Sequence, residues 1–186
     1  MGPLEKVSGV RAPAFEWHLE SRSNRQTLEL GAELGKILTP GDFIGLVGAL
    51  GAGKTQFVRG VARGARVPKS EVASPSFAII YPYAGRIPIY HADFYRLSDF
   101  EELYATGFTD LVGADAAVLV EWLDRIPCAA PAEHLLLTFR FPSTGQPNWR
   151  RIHAQAYGWR YVARLQKWRG RWTGRAPSPS KQRGPG

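Results

Sequence analysis

At 186 residues, 44% of them hydrophobic and 12% aromatic, the chain has the composition of one globular domain with extensions, long enough to bury a sizeable core. No stretch reaches the roughly 18 uninterrupted apolar residues of a membrane helix, no basic-then-apolar leader marks a secretory signal, and the single cysteine, Cys128, cannot close an internal disulfide; a cytoplasmic protein that meets no membrane is expected. The formal net charge of +8 is unevenly placed, because residues 1–149 hold 14 Lys and Arg against all 16 Asp and Glu, whereas residues 150–186 hold 10 Lys and Arg and no acid. A polyanionic partner for the C-terminal end follows from that asymmetry.

In chain order, residues 1–14 carry Gly, Pro and Ser with little periodicity and predict a flexible leader. Ser23-Asn24-Arg25-Gln26 has capping-box spacing, and Leu28, Leu30, Leu34, Ile37 and Leu38 continue it as a helix that Thr39-Pro40-Gly41 ends. Asp42 to Val47 reads as a buried strand and Gln56 to Arg63 as a helix. Ala65 to Ser76 is a connector; Phe77–Tyr81 and Arg86–Tyr90 then predict a hairpin, with Pro88 placing the second strand at an edge or on a bulge. Ser98-Asp99-Phe100-Glu101 opens a short helix that stops near Gly107, and Ala116 to Val120 is an apolar strand ending at Glu121. Cys128 falls in the Pro127–Pro131 loop, with no basic or metal-binding cluster beside it. His134–Arg140 and Arg151–Tyr157 are late strands, Gly158–Lys167 a short helix, and the Gly-, Pro-, Ser- and Arg-rich run from Gly170 predicts disorder. The expected organisation is a leader over 1–14, a domain over 15–157 and a basic, aromatic-rich extension over 158–186.

Between the first strand and its helix lies Gly48-Ala49-Leu50-Gly51-Ala52-Gly53-Lys54-Thr55, which fits the phosphate-binding pattern G-x-x-x-x-G-K-[ST], and the strand–loop–helix setting is the context that pattern requires. Glycines let successive backbone N–H groups converge on phosphate oxygens, and the helix N-terminus adds partial positive charge. Lys54 is then suited to the β and γ phosphates and the Thr55 hydroxyl to Mg²⁺. The chain is expected to bind a nucleoside triphosphate. A second acid is needed for the metal: Glu121, at the end of an apolar strand, is either that acid or an ordinary strand cap, and Asp93 ends another apolar strand. One carboxylate would serve Mg²⁺ and the other would orient or deprotonate an attacking water. His91 reads as a structural hydrogen-bonder or as a member of the site. Ser74-Pro75-Ser76 reads as a γ-phosphate-sensing segment or as a plain turn. In the extension, Trp149, Tyr157, Trp159, Tyr161, Trp168 and Trp172 alternate with arginines and lysines; they either stack on RNA or pack on the domain.

The phosphate loop, Ser74-Pro75-Ser76-Phe77, Tyr90-His91-Ala92-Asp93-Phe94-Tyr95-Arg96-Leu97 and Glu121-Trp122 occur in that order, and together they resemble the TsaE (YjeE) family, the ATPases of tRNA threonylcarbamoyladenosine biosynthesis, over about residues 20–140. The resemblance implies an α/β, three-layer P-loop NTPase fold with a mixed, mainly parallel sheet. It implies ATP and Mg²⁺ as cofactors, weak hydrolysis stimulated by partners, and action on the TsaB–TsaD complex, with tRNA met indirectly or through the basic extension. Carried over by motif, Gly48, Gly51, Ala52, Gly53, Lys54, Thr55 and Gln56 cradle the nucleotide with Ser76 and Trp122 beside it. Thr55 and Glu121 become the metal ligands, and Asp93 with Lys54 the catalytic pair. Trp122 either adjoins the nucleotide or packs in the core, and Tyr95 and Arg96 either support Asp93 or face a partner. Ser76 stands in place of the family's usual threonine, Ala49 in place of a common acidic residue, and Leu123 in place of a frequent proline. Two other classes remain, a small-molecule or nucleotide kinase and an ATP-regulated RNA-binding adaptor.

Overall fold

Seven strands form one sheet in the order β1-β7-β6-β2-β5-β4-β3, in a computed structural model that describes residues 12–71, 79–142 and 148–174. The strands are β1 (Phe15–Ser21), β2 (Phe43–Val47), β3 (Ile80–Ala84), β4 (Pro88–Asp93), β5 (Ala117–Glu121), β6 (His134–Arg140) and β7 (Arg150–Tyr157). The centre is parallel, through β6–β2, β2–β5 and β5–β4. Both margins are antiparallel, through β1–β7, β7–β6 and β4–β3. The expected mixed α/β architecture is therefore present. Buried parallel strands read as continuous apolar runs, which is why Phe43–Val47 and Ala117–Val120 stand out in the sequence.

Two strand expectations need correction. No strand was read before the first helix, yet Phe15–Ser21 forms β1. Its alternation is plain in retrospect: Phe15, Trp17 and Leu19 pack toward the core, and Glu16, His18 and Glu20 face away. A hairpin is present, but its first strand runs Ile80–Ala84 rather than over 77–81, of which 77 and 78 lie outside the described residues, and the edge is β3 and not the strand carrying Pro88. Pro88 is tolerated as the first residue of β4, and Pro82 sits in the edge strand, where a missing donor costs least. β4 also runs on to Asp93, three positions past Tyr90.

Among the described residues four α-helices cover the sheet: α1 (Asn24–Gly35), α2 (Lys54–Gly64), α3 (Phe100–Ala105) and α4 (Trp159–Thr173). The first capping signal works as read, since Ser23 Oγ accepts the Gln26 N–H at 3.1 Å; at α3 the cap is Asp99, one residue past the expected Ser98, its Oδ1 accepting the Glu102 N–H at 2.9 Å. α1 and α2 touch backbone to backbone; a Cβ on Gly31 would stand 2.2 Å from Phe57 O, and one on Gly60 2.1 Å from Leu28 O. One buried cluster joins α1, α2 and α4 to the sheet through Leu30, Leu34, Phe57, Val61, Leu137, Phe139 and Trp168. A second joins α3 and its neighbouring turns to the opposite face through Phe43, Phe94, Leu103, Phe108, Val118 and Val120. The result is three layers.

α4 is part of the first cluster. Trp168 is fully buried and its Nε1 donates to Leu30 O at 3.0 Å, while Tyr161 Oη accepts the Phe43 N–H at 2.7 Å. Buried Asp42 takes Arg160 and Arg164, each at 3.0 Å. Arg164 also donates to Ile37 O, and Arg171 reaches Glu33 at 3.0 Å. The helix therefore extends past Lys167 to Thr173, and Gly170–Thr173, read from composition as the start of a disordered run, is helical. Its apolar face, not its composition, decides that outcome. Residues 175–186, the rest of that run, lie outside the described residues.

Candidate functional site

β2 delivers the chain to the loop 48–53, and α2 begins at Lys54. Gly48 (φ +144°), Gly51 (φ +75°) and Gly53 (φ +101°) all hold positive φ, which side chains other than glycine adopt rarely. At Gly48 the need is also spatial, as a Cβ there would meet Phe139 O at 2.5 Å. Gly53 caps α2 with no side-chain acceptor, leaving the start of the helix available to an anion.

Lys54, buried, donates from Nζ to Gly48 O at 2.6 Å and Ala49 O at 3.1 Å. The Nζ also stands 3.7 Å from the centroid of the Trp122 ring, a cation–π contact. Burial pulls the Lys54 pKa down, against the raising influence of Glu121, Asp124 and Asp93. Trp122 itself has φ +59°, an uncommon conformation for a bulky residue that is held here between Lys54 and Tyr95, whose ring centroid is 5.0 Å away. It packs against the second core cluster and also walls the cavity.

The parallel register aligns Asp93 with Glu121 at the C-terminal ends of β4 and β5. Thr55 Oγ1 donates to Glu121 Oε2 at 2.9 Å. The other carboxylate oxygen, Oε1, lies 2.9 Å from His91 Nε2, and His91 Nδ1 lies 3.0 Å from Tyr83 Oη. A carboxylate only accepts, so His91 presents a proton on Nε2 to Glu121, and in that tautomer Nδ1 accepts from the tyrosine. Burial, then the Glu121 charge, pushes Tyr83 up to about 12, which keeps it a donor. Tyr83, His91 and Thr55 thus all direct protons toward Glu121 and fix its orientation. His91 is both of the things the sequence allowed, a structural hydrogen-bonder and a neighbour of the site. Asp93 Oδ1 accepts the Tyr95 N–H at 2.9 Å. Its pKa is raised, first by burial and then by Glu121, with the Tyr95 hydrogen bond, His91 and Lys54 opposing.

A cavity of about 280 Å³ is lined by Leu50 to Gln56 together with Asn24, Asp93, Tyr95, Glu121 and Trp122. It gathers Gly51, Ala52, Gly53, Lys54, Thr55, Gln56, Asp93, Glu121 and Trp122 from the sequence-based set. Gly48 stands behind it as an acceptor for Lys54, and the Gln56 side chain turns to Asn24 O at 3.2 Å. Arg96 does not line it, and Ser74 to Ser76 lie outside the described residues. The donor set fits a metal-bound triphosphate: a hydroxyl and a carboxylate are hard oxygen ligands of the kind Mg²⁺ takes, and the loop with Lys54 suits phosphates.

Tyr83 and Arg150 escape the sequence reading. Arg150, assigned by sequence to the basic tail, is the buried first residue of β7, and it grips the loop from behind. Its Nε donates to Ala52 O at 2.9 Å and its Nη2 to Gly51 O at 3.1 Å, while Nη1 holds Trp149 O at 2.7 Å and the guanidinium lies 4.5 Å from the Phe141 ring centroid. A signal was available: Arg150 shares its parity with inward-facing Ile152, Ala154 and Ala156, and an inward arginine requires acceptors.

A strand–loop–helix phosphate cradle, opened by glycines and flanked by two strand-end carboxylates on a mixed α/β sheet, defines a P-loop nucleotide-binding protein. Residues 21–151 match the family model described as threonylcarbamoyl adenosine biosynthesis protein TsaE, and the chain belongs to the TsaE family. It is 34% identical over 125 residues to the tRNA threonylcarbamoyladenosine biosynthesis protein TsaE of Treponema pallidum, covering 67% of this chain and 92% of that one. The proteins of the same name from Bacillus subtilis and Nostoc are 37% identical over 123 residues (66% of this chain, 74% of that one) and 43% identical over 108 residues (54% and 64%). Among solved structures, the crystal structure of Bacillus subtilis YdiB superposes with a TM-score of 0.70 at 26% identity, covering 84% of this chain and 96% of that one.

Proposed function

We propose that this chain binds Mg²⁺–ATP in the 280 Å³ cavity and hydrolyses it weakly on its own, in the service of tRNA threonylcarbamoyladenosine formation, with the TsaB–TsaD complex as its partner. The observation that carries the reading is the 2.9 Å hydrogen bond from Thr55 to Glu121. It sets a loop hydroxyl and a strand-end carboxylate side by side beneath the phosphate cradle, where phosphoryl-transfer proteins hold their metal. Thr55 and Glu121 would hold Mg²⁺, which when bound supplies charge neutralisation on the phosphates. Lys54 would exchange its loop carbonyls for phosphate oxygens, and the first N–H groups of α2 would complete the anion cradle. Asp93, beside Glu121, would accept a hydrogen bond from the water nucleophile and orient it. Membership of the TsaE family, together with relatives named for this modification, supports the biological assignment.

The deciding measurement is ATP turnover by the full chain with and without a purified TsaB–TsaD complex. Stimulated release of inorganic phosphate supports the proposal; failure of the complex to bind the chain or alter its turnover refutes it. Lys54→Ala is expected to abolish nucleotide binding, and Asp93→Ala to retain binding and lose hydrolysis. Phosphate appearing on a nucleoside acceptor would instead identify a kinase, and function that survives Asp93→Ala would favour an ATP-regulated adaptor.

A further inference from the structure

The face of the sheet turned away from α1, α2 and α4 has its own chemistry at the β1–β7 margin. Leu19, Ile152, Ala154 and Ala156 point into the helical cluster, so strand alternation sends Glu16, His18, Glu20, Arg151 and His153 to the opposite side. His18 and His153 are direct cross-strand partners, and such a pair holds its Cβ atoms about 5 Å apart. Their imidazoles lie face to face, with centroids 4.1 Å apart and planes 9° from parallel. Glu16, one pleat away on the same face, brings Oε1 to 3.3 Å from His153 Nε2. The same Oε1 accepts from Gln155 Nε2 at 2.9 Å, and the His153 Nε2 is a buried nitrogen whose 3.3 Å approach to Glu16 falls short of a well-formed hydrogen bond. One ligand atom from each of Glu16, His18 and His153 can be chosen so that all lie within 4.8 Å of one another. The two histidines also line an open groove of about 600 Å³ shared with Thr138, Arg140 and Phe141.

We propose that Glu16, His18 and His153 form a surface site for a divalent transition metal of the zinc class, independent of the nucleotide cavity. Two imidazoles and a carboxylate are a donor set that Zn²⁺ and Cu²⁺ accept and Mg²⁺ does not favour. Metal–ligand bonds near 2.1 Å need donor atoms somewhat closer together than 4.8 Å. The two exposed side chains, Glu16 and His18, can supply that movement without disturbing the ladder. The fourth position would open toward the groove, where water or an outside ligand can enter. Local charge neither drives nor forbids the site, because Arg140 and Arg151 share the face with Glu16 and Glu20, and Arg151 stands 3.9 Å from Glu20. Chelation geometry, not field, sets the affinity. A bound ion would tie the margin strand β1 to β7 and raise the thermal midpoint by mass action.

The test uses the full, tag-free chain, stripped with a chelator and held in excess Mg²⁺ so that Thr55 and Glu121 do not compete. Zn²⁺ titration by calorimetry should show one site, with a metal-dependent rise in thermal midpoint. His18→Ala and His153→Ala should each weaken binding at least about 10-fold, since even outer-shell losses cost 10- to 100-fold. Glu16→Gln should weaken it less, and His134→Ala, which alters a histidine on the neighbouring β6, should leave it unchanged. With Cu²⁺, electron paramagnetic resonance should show two nitrogen ligands in the wild type and one in His18→Ala. Because His18 is exposed, that variant should keep the metal-free thermal midpoint, so loss of binding will not be confused with loss of fold. The proposal is overturned if His18→Ala and His153→Ala both keep wild-type affinity, or if the wild type takes up no Zn²⁺ at about 1 mM, the limit of weak binding.

Discussion

Asp93 shows how a single carboxylate is strained by the place it occupies. Burial and Glu121 raise its pKa, so the folded chain holds that proton more readily than the unfolded chain. Stability contributed at this position therefore falls as pH rises from the ordinary carboxylate value through the raised one. At neutral pH the ionised group weighs against folding. Asp93→Asn keeps an oxygen to accept the Tyr95 N–H and removes the charge. We expect its thermal midpoint to exceed wild type at pH 7, with the gap closing below the carboxylate range, while phosphate release is lost; scanning fluorimetry and a turnover assay read both. Arg150 makes the opposite case. Arg150→Ala leaves Gly51 O and Ala52 O without their donor, at about 1.5–3 kcal/mol for each charged hydrogen bond. Fluorescent-nucleotide titration should show affinity at least about 10-fold weaker, with Arg150→Lys recovering only part because a point charge replaces a fork. Lys54, Thr55, Asp93 and Glu121 were legible because the motif and the strand ends announce themselves locally. Arg150 was hidden because its meaning depends on which face of β7 is buried, and its neighbours in sequence suggested a cationic tail.

Among the elements, α4 departs furthest from its reading. Its composition is that of a solvated basic extension, yet its buried stripe of Tyr161, Val162, Leu165 and Trp168 belongs to the core. Three of its arginines answer acids on other elements, through Asp42 and Glu33. Asp42 is fully buried, and removing it leaves Arg160 and Arg164 with the loss of their shared acceptor. Asp42→Ala should cost about 3 kcal/mol, the lower end for a broken buried pair because Arg160 is partly exposed, and urea unfolding can measure it. The central parallel strands and the capped helices were readable from apolar runs and capping residues. β1 is less legible, because its seven alternating residues lie between a stretch without periodicity and a strong helix signal. The depth of α4 could not be read from charge counts, since pairing across more than a hundred residues of sequence leaves no local trace.

For the whole molecule, the question of tRNA contact moves outward along the chain. Three of the five described cations of α4 are committed to acids, so an electrostatic partner would engage Arg175, Lys181 and Arg183, beyond the described residues, together with Lys167 and Arg169 of the helix. A chain ending after Gly174 should keep its fold and nucleotide binding while the salt dependence of any tRNA affinity drops by about 2–3 in log–log slope, one increment for each lost phosphate contact. A chain ending after Tyr157 should not fold stably, because it lacks Trp168, whose side chain is worth about 3–5 kcal/mol in a core. Comparing the two by thermal melt and filter binding separates a missing RNA contact from a missing core. The shared margin formed by β1, β7 and α4 also has a consequence for synthesis. β1 leaves the ribosome early but has no partner strand until Arg150–Tyr157 follow, and its inner face stays wet until Trp168 arrives. The nascent chain must therefore carry an unpaired amphipathic strand through most of its translation, a period in which edge pairing between neighbouring chains competes with completion of the fold.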